Sequence, residues 1–162
     1  MTHDVRGIAN WVLDRAEQQG RSLTNLAINK IIFFLYSHYL VQFGHPLVSA
    51  KIEAWEYGPV FREVYHCFKH LKENPINTRA TRINPSTGGL EICEASLSEM
   101  EETFLKKVAP EYIRMSASNL VALSHQKGAP WDLVWNHERR VNSSMKITDD
   151  LVRNWYEKSL RH

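Results

Sequence analysis

Val5, Ile8, Ala9, Val12, Leu13 and Ala16 recur with the spacing of one helical face. They predict a first helix over residues 5–19, with Asp4 placed to cap its start and Gly20 to close it in the left-handed conformation. A second helix is expected over residues 25–43, between the N-cap Thr24 and the terminator Gly44, with Leu23 where a hydrophobic staple would sit. Its apolar positions, among them Ile28, Ile31, Ile32, Leu35, Tyr39 and Leu40, cover most of the circumference, as in a helix enclosed by protein.

Residues 47–57 are mixed in character and read in part as extended. Gly58-Pro59 follows, and Pro59 suits the first turn of a third helix over residues 60–72, stopped by Asn74-Pro75. Thr81–Ile83 and residues 90–93 flank the turn-rich residues 84–89 and predict a β-hairpin. A lone hairpin is marginal in water, so it should pack on the helices or pair with residues 47–57. Ser98 and Glu101 form a capping-box pattern before Phe104, Leu105 and Val108. Ser116 or Ser118 caps a short helix carrying Leu120, Val121 and Leu123, which Gly128-Ala129-Pro130 breaks. A last helix over residues 148–160 has Asp149 and Asp150 early and Lys158 and Arg161 late, matching the helix dipole. The pattern predicts one predominantly helical α+β domain over residues 1–162, with a small antiparallel hairpin or sheet.

Composition narrows the class. The 162 residues are 43% hydrophobic and 23% charged, which excludes disorder. No apolar h-region follows the charged first residues, so no signal peptide is expected. The longest uninterrupted apolar run, residues 31–35, is far short of a membrane span. Two cysteines, Cys67 and Cys93, build no disulfide framework, and a cytoplasmic location without membrane contact is expected. The formal net charge of +2 does not announce a nucleic-acid binder. Charge is uneven, however: residues 69–82 carry Lys69, Lys72, Arg79 and Arg82 against Glu73, whereas residues 91–102 carry five glutamates and no cation.

Candidate chemistry is sparse. Glu63, His66 and His70 lie at i, i+3 and i+7 of the third predicted helix, but the spacing is not that of HExxH, and a solvated polar face is the favoured account. Cys67 and Cys93 read as reduced packing residues. No GxGxxG, P-loop or GxSxG motif is present, so the sequence calls for no cofactor, no metal and no catalytic residue. Trp131 and Trp135 stand among polar residues in a stretch without strong helical period, and partly exposed tryptophans are favoured interface anchors. Lys30 lies in an otherwise apolar helix. Either it snorkels from the helix edge or it is buried against a partner: Glu53, His125 or a backbone carbonyl. Trp55, Tyr57, Gly58 and Pro59 shape the sharp re-entry into the third helix; the competing reading makes Trp55, Tyr57, His125 and Trp131 the lining of a recognition groove.

Two stretches together resemble one family. LTNLAINKIIFFLYSHYLVQFGHPLVSAKIEAWEYGPVFREVY, residues 23–65, resembles the hallmark of the Panacea domain, the SocA-type antitoxin family first noticed in phage-associated proteins. LVALSHQKGAPW, residues 120–131, resembles the family's Leu-Ser-His…Pro-Trp element, with His125, Pro130 and Trp131 in place. Phe33 stands where the family often has Tyr, and Ile28 and Asn29 where it often has Leu and Gln. The resemblance implies a mostly helical antitoxin domain with a small sheet, no catalysis, and as partners a cognate toxin and, where the toxin is degraded, a cellular protease. Lys30, Glu53, Trp55, Tyr57, Gly58, Pro59, His125 and Trp131 are the motif or partner-binding positions this reading singles out. The alternatives are a small hydrolase using His125 with Glu53 or Glu63, and a nucleic-acid regulator using the basic residues 69–82; the small net charge makes nucleic acid the weakest.

Overall fold

A computed structural model of the chain describes residues 2–136 and 145–160. In chain order the elements are α1 (Val5–Gln18), α2 (Asn25–Phe43), β1 (Ile52–Trp55), β2 (Gly58–Phe61), α3 (Arg62–Phe68), a 3-10 turn (Lys69–Leu71), β3 (Thr81–Ile83), β4 (Leu90–Ile92), α4 (Glu99–Arg114), α5 (Ala117–Ser124), α6 (Pro130–Trp135) and α7 (Asp149–Leu160). The fold is mostly helical α+β, as the sequence pattern predicts; the described residues hold two small antiparallel strand pairs, of which the pattern predicts only the second.

The local signals act as expected at most helix ends. Thr24 Oγ1 accepts from the Ala27 N–H, and Gly44 closes α2 at φ 78° with its N–H on the Leu40 carbonyl. Ser98 and Glu101 complete the capping box of α4. Ser116, and not Ser118, caps α5 by accepting from the Asn119 N–H at 3.1 Å. Asp149 and Asp150 open α7, where Lys158 lies in the last turn; Arg161 lies outside the described residues.

α2 is the hub. It packs against α1, α3, α4, α5, α7 and β2, and Ile28, Ile31, Ile32 and Leu35 are wholly buried. By length and mean hydropathy, α2 is apolar enough to cross a bilayer, which the longest uninterrupted run did not reveal. Most of its surface is instead buried in protein.

The third predicted helix is corrected. Pro59 lies in β2, paired opposite Ala54, and α3 begins only at Arg62 and ends at Phe68. Glu56 and Tyr57 make the two-residue turn between β1 and β2. The outer edge of β2 is closed by side chains of α2: Asn29 Oδ1 accepts the Phe61 N–H at 2.9 Å, and Lys30 Nζ donates to the Pro59 carbonyl at 2.9 Å. Proline has no N–H to lose on such an edge, so this arrangement satisfies the backbone where a helix would not. The other edge of β1 is taken by residues 145–147: the Ala54 N–H donates to the Met145 carbonyl and the Ile147 N–H to the Ile52 carbonyl.

The β3–β4 hairpin forms through residues 84–89 as predicted, but it does not pair with residues 47–57. Asn10 of α1 clamps its base, donating to the Ala80 and Cys93 carbonyls and accepting the Ala80 N–H. Such close docking of α1 explains Gly7. A Cβ there would stand 2.5 Å from the Glu94 carbonyl oxygen. Helix propensity alone favours alanine over glycine by about 1 kcal/mol. The backbone clash reverses the sign, and Gly7→Ala is expected to destabilise by roughly 2 kcal/mol in urea unfolding.

Glu101 gathers the other end of α1's docking. Its carboxylate accepts from the Tyr39 hydroxyl at 2.6 Å and the Ser98 N–H at 2.9 Å, and contacts His3 Nε2 at 2.9 Å. Burial alone would raise its pKa, but these donors outweigh burial and hold it at about 2. A carboxyl depressed on folding stabilises above its unfolded pKa and loses that contribution as pH falls toward the folded value. The window is therefore about pH 4.5 down to about 2, and roughly 2–3 kcal/mol is lost across it. Glu101→Gln should remove that part of the acid dependence, read as urea midpoints at stepped pH.

Candidate functional site

The β1–β2 turn and the α5–α6 segment, distant in sequence, meet over the N-terminal half of α2. Trp131 Nε1–H donates to the Trp55 carbonyl at 2.7 Å. Lys30 reaches the Pro59 carbonyl from below. Gly58 lies against Lys30 and Ser124, and its φ of 113° is a conformation that only glycine adopts freely. His125 stacks on Trp131 with centroids 3.6 Å apart and planes 3° from parallel.

Lys30 does not snorkel. It has no solvent exposure, and its acceptor is the backbone carbonyl of Pro59, not Glu53. Burial pulls its pKa down to about 7. Glu53 is also buried, but it accepts from Trp55 Nε1–H at 3.1 Å and pairs with Arg62 at 3.0 Å. The ion pair fixes the Trp55 ring, which meets Tyr65 edge to face at 4.8 Å. Of the positions the sequence singled out, Lys30, Glu53, Gly58, Pro59 and Trp131 are buried, Trp55 and His125 are half-buried, and Tyr57 is 60% exposed. Trp131 is therefore an inward anchor of the short helix α6, not a partly exposed one.

Residues beyond the sequence reading complete the assembly. Asn25 donates to the Tyr65 carbonyl, and Asn29 bonds back to Asn25 while accepting from Phe61. Two asparagines one turn apart inside an apolar helix were the signal: buried amides must find backbone to bond. Between α2, the β1–β2 turn and the 3-10 turn opens a groove of about 730 Å³. Trp55, Tyr57 and Tyr65 line it beside Leu26, with Lys30, Lys69 and Lys72 as its amines and Glu56 and Glu73 as its carboxylates.

Catalytic geometry is not assembled around the groups named for it. Neither Glu53 nor Glu63 hydrogen-bonds to His125, whose buried Nε2 has no partner among the described residues. Burial, with Lys30 nearby, lowers the His125 pKa. Burial pushes both cysteine thiols up, the opposite of an activated nucleophile. α3 ends at Phe68, so His66 and His70 do not share a helical face, and no metal-binding group of three converges among the described residues.

The family model for the SocA-like antitoxins, Panacea domain, matches residues 28–132. The chain belongs to this antitoxin family. Antitoxin SocA of Caulobacter vibrioides (strain NA1000 / CB15N) is 34% identical over 151 residues, covering 93% of this chain and 80% of that protein. No solved structure matches the chain. The Panacea match runs from within α2 to the start of α6; it takes in the second sequence motif and all of the first from residue 28 on, and leaves out Leu26 of the groove lining.

Proposed function

We propose that this protein is an antitoxin that binds a cognate toxin directly, as one domain, through the lip formed by Trp55 and Tyr57 and the groove beside it. Direct binding either masks the toxin or presents it to a protease. The observation that carries the reading is the exposed Tyr57, held out from a turn that Lys30, Gly58 and Trp131 fix from beneath. Tyrosine and tryptophan on a rigid support are favoured interface anchors, because little conformational entropy is lost when they are covered. The buried motif residues then act by holding the lip, and Tyr57 and Trp55 by contact. The two free thiols support a reducing, cytoplasmic setting.

The test is co-expression with the product of the adjacent gene. That product should arrest growth alone, and this protein should relieve the arrest. Trp55→Ala/Tyr57→Ala should weaken the purified complex by about tenfold or more while the fold is retained. A harmless neighbour, or toxicity that this protein does not relieve, would overturn the proposal. The toxin's half-life with and without the antitoxin separates masking from degradation.

A further inference from the structure

The β3–β4 hairpin turns its apolar face to water. Ile83 and Leu90 are cross-strand partners and Ile92 lies two residues along β4, so all three project from one face. They are 67%, 75% and 58% exposed. The other face holds the polar residues: Arg82 Nε donates to the Glu91 carboxylate at 2.7 Å, and Asn84 donates to it at 2.9 Å. Register decides where the backbone points. The Cys93 N–H donates to the Ala80 carbonyl and the Asn84 N–H to the Gly89 carbonyl. Bonded and non-bonded pairs alternate along an antiparallel ladder, so the N–H and C=O groups of Leu90 and Ile92 point outward from β4. No hydrogen bond takes them among the described residues. Proteins blunt such edges with lysine, proline or a covering element, yet the outward positions of β4 are leucine and isoleucine.

We propose that β4 accepts a further antiparallel strand, supplied by a partner protein and alternating basic with apolar residues. Charge selects both the edge and its occupant. β3 and the residue pair before it carry the cations Arg79 and Arg82, whereas β4 and its continuation carry Glu91 and Glu94. Both guanidiniums are already engaged, Arg79 by Asp14 and Glu17 and Arg82 by Glu91. Glu94 lines a cleft of about 300 Å³ with Ile92 and Trp11 and forms no ion pair among the described residues. Four carboxylates therefore meet two guanidiniums around the hairpin. An added strand sets its apolar side chains beside Leu90 and Ile92 and a basic one opposite Glu91. Main-chain bonds supply affinity in such an addition, and the alternating side chains supply specificity. A second copy of this chain fits poorly. It brings the same carboxylates to the same edge, and three apolar side chains fall well short of the ~800 Å² per partner of a stable interface. Nucleic acid is repelled by the same carboxylates. The site is separate from the Trp55–Tyr57 lip, whose groove takes no residue from the hairpin.

The probe is the end-capped pentapeptide Lys-Val-Lys-Val-Lys, titrated into the protein and followed through the backbone amide resonances and exchange rates of Leu90 and Ile92. The shifts should saturate, and exchange at both amides should slow about tenfold or more. The acidic peptide Glu-Val-Glu-Val-Glu should bind about tenfold or more weakly. So should the basic peptide N-methylated at both valines, which keeps its charge and apolar surface but loses the donors that face β4. Glu91→Lys/Glu94→Lys should reverse the order of the basic and acidic peptides. Should that variant not fold, the N-methylated peptide decides on the wild type. Equal binding of basic and acidic peptides, undiminished binding of the N-methylated one, no saturable shift at Leu90 and Ile92, or a stronger response of these amides to oligothymidylate each overturns the inference. Protection of the two amides by self-association, seen as a concentration-dependent mass in sedimentation, makes a second copy the occupant and also overturns it. A response confined to Trp55 and Tyr57 puts the peptide at the lip; it overturns this inference and leaves the antitoxin reading intact.

Discussion

Gly58→Ala should destabilise the protein by roughly 3–5 kcal/mol and abolish toxin neutralisation. Two effects coincide. The backbone stands at φ 113°, where a Cβ is strained whatever the space around it. That Cβ would also lie 2.6 Å from Lys30 Cε and 2.7 Å from Ser124 Oγ. A flexible lysine on a surface would move aside. Lys30 is enclosed on every side, and displacing it breaks its bond to Pro59 and leaves a buried amine without an acceptor. Ser124 is held by its own bond to the Val121 carbonyl at 2.8 Å. Gly88→Ala is the control. Its φ is 74° with nothing within 4 Å of the added carbon, so only the strain remains, about 1 kcal/mol. Equal urea midpoints for the two variants would show that the packing of β2 onto α2 contributes nothing beyond backbone strain.

What could be read from sequence divides along a physical line. Features fixed by neighbours in the chain were legible: the caps Thr24 and Ser98, the terminator Gly44, the β3–β4 hairpin and the all-round burial of α2. Features fixed by distant backbone were not. Pro59 favours both a helix start and a strand edge, and only the approach of Asn29 and Lys30 to β2 selects the second. Residues 145–147 join the edge of β1 with no period of their own to announce it.

The sequence named Lys30, Glu53, Trp55, Tyr57, Gly58, Pro59, His125 and Trp131 together, but not which of them are buried and which exposed. Exposure separates them. Lys30, Gly58, Pro59 and Trp131 build the support, and Tyr57 is what it presents. Sequence spacing could pair Lys30 with Glu53 equally well, because both choices satisfy a buried charge. Arg62, the first residue after β2, captures Glu53 instead and leaves Lys30 to the carbonyl.

That assignment has a consequence for stability against pH. The Lys30 amine titrates near 10.5 in the unfolded chain and at about 7 in the folded one. Between those values the unfolded state holds a proton that the folded state has released, so stability rises with pH, by about 1.4 kcal/mol per pH unit at most. Below about 7 both states are protonated, and the full penalty of burying the ammonium is present. The useful window closes near pH 8.5, because the cysteine and tyrosine groups raised by burial begin to act in the opposite direction. Lys30→Met removes the titration and leaves the Pro59 carbonyl without its donor, a loss of about 1–3 kcal/mol that does not depend on pH. Wild type should therefore gain roughly 1–2 kcal/mol on Lys30→Met between pH 7 and pH 8.5, measured as urea unfolding free energies of the two proteins at matched pH. Parallel curves would mean that the amine keeps its proton in the folded core, and with it that a neutral carbonyl is acceptor enough for a buried ammonium.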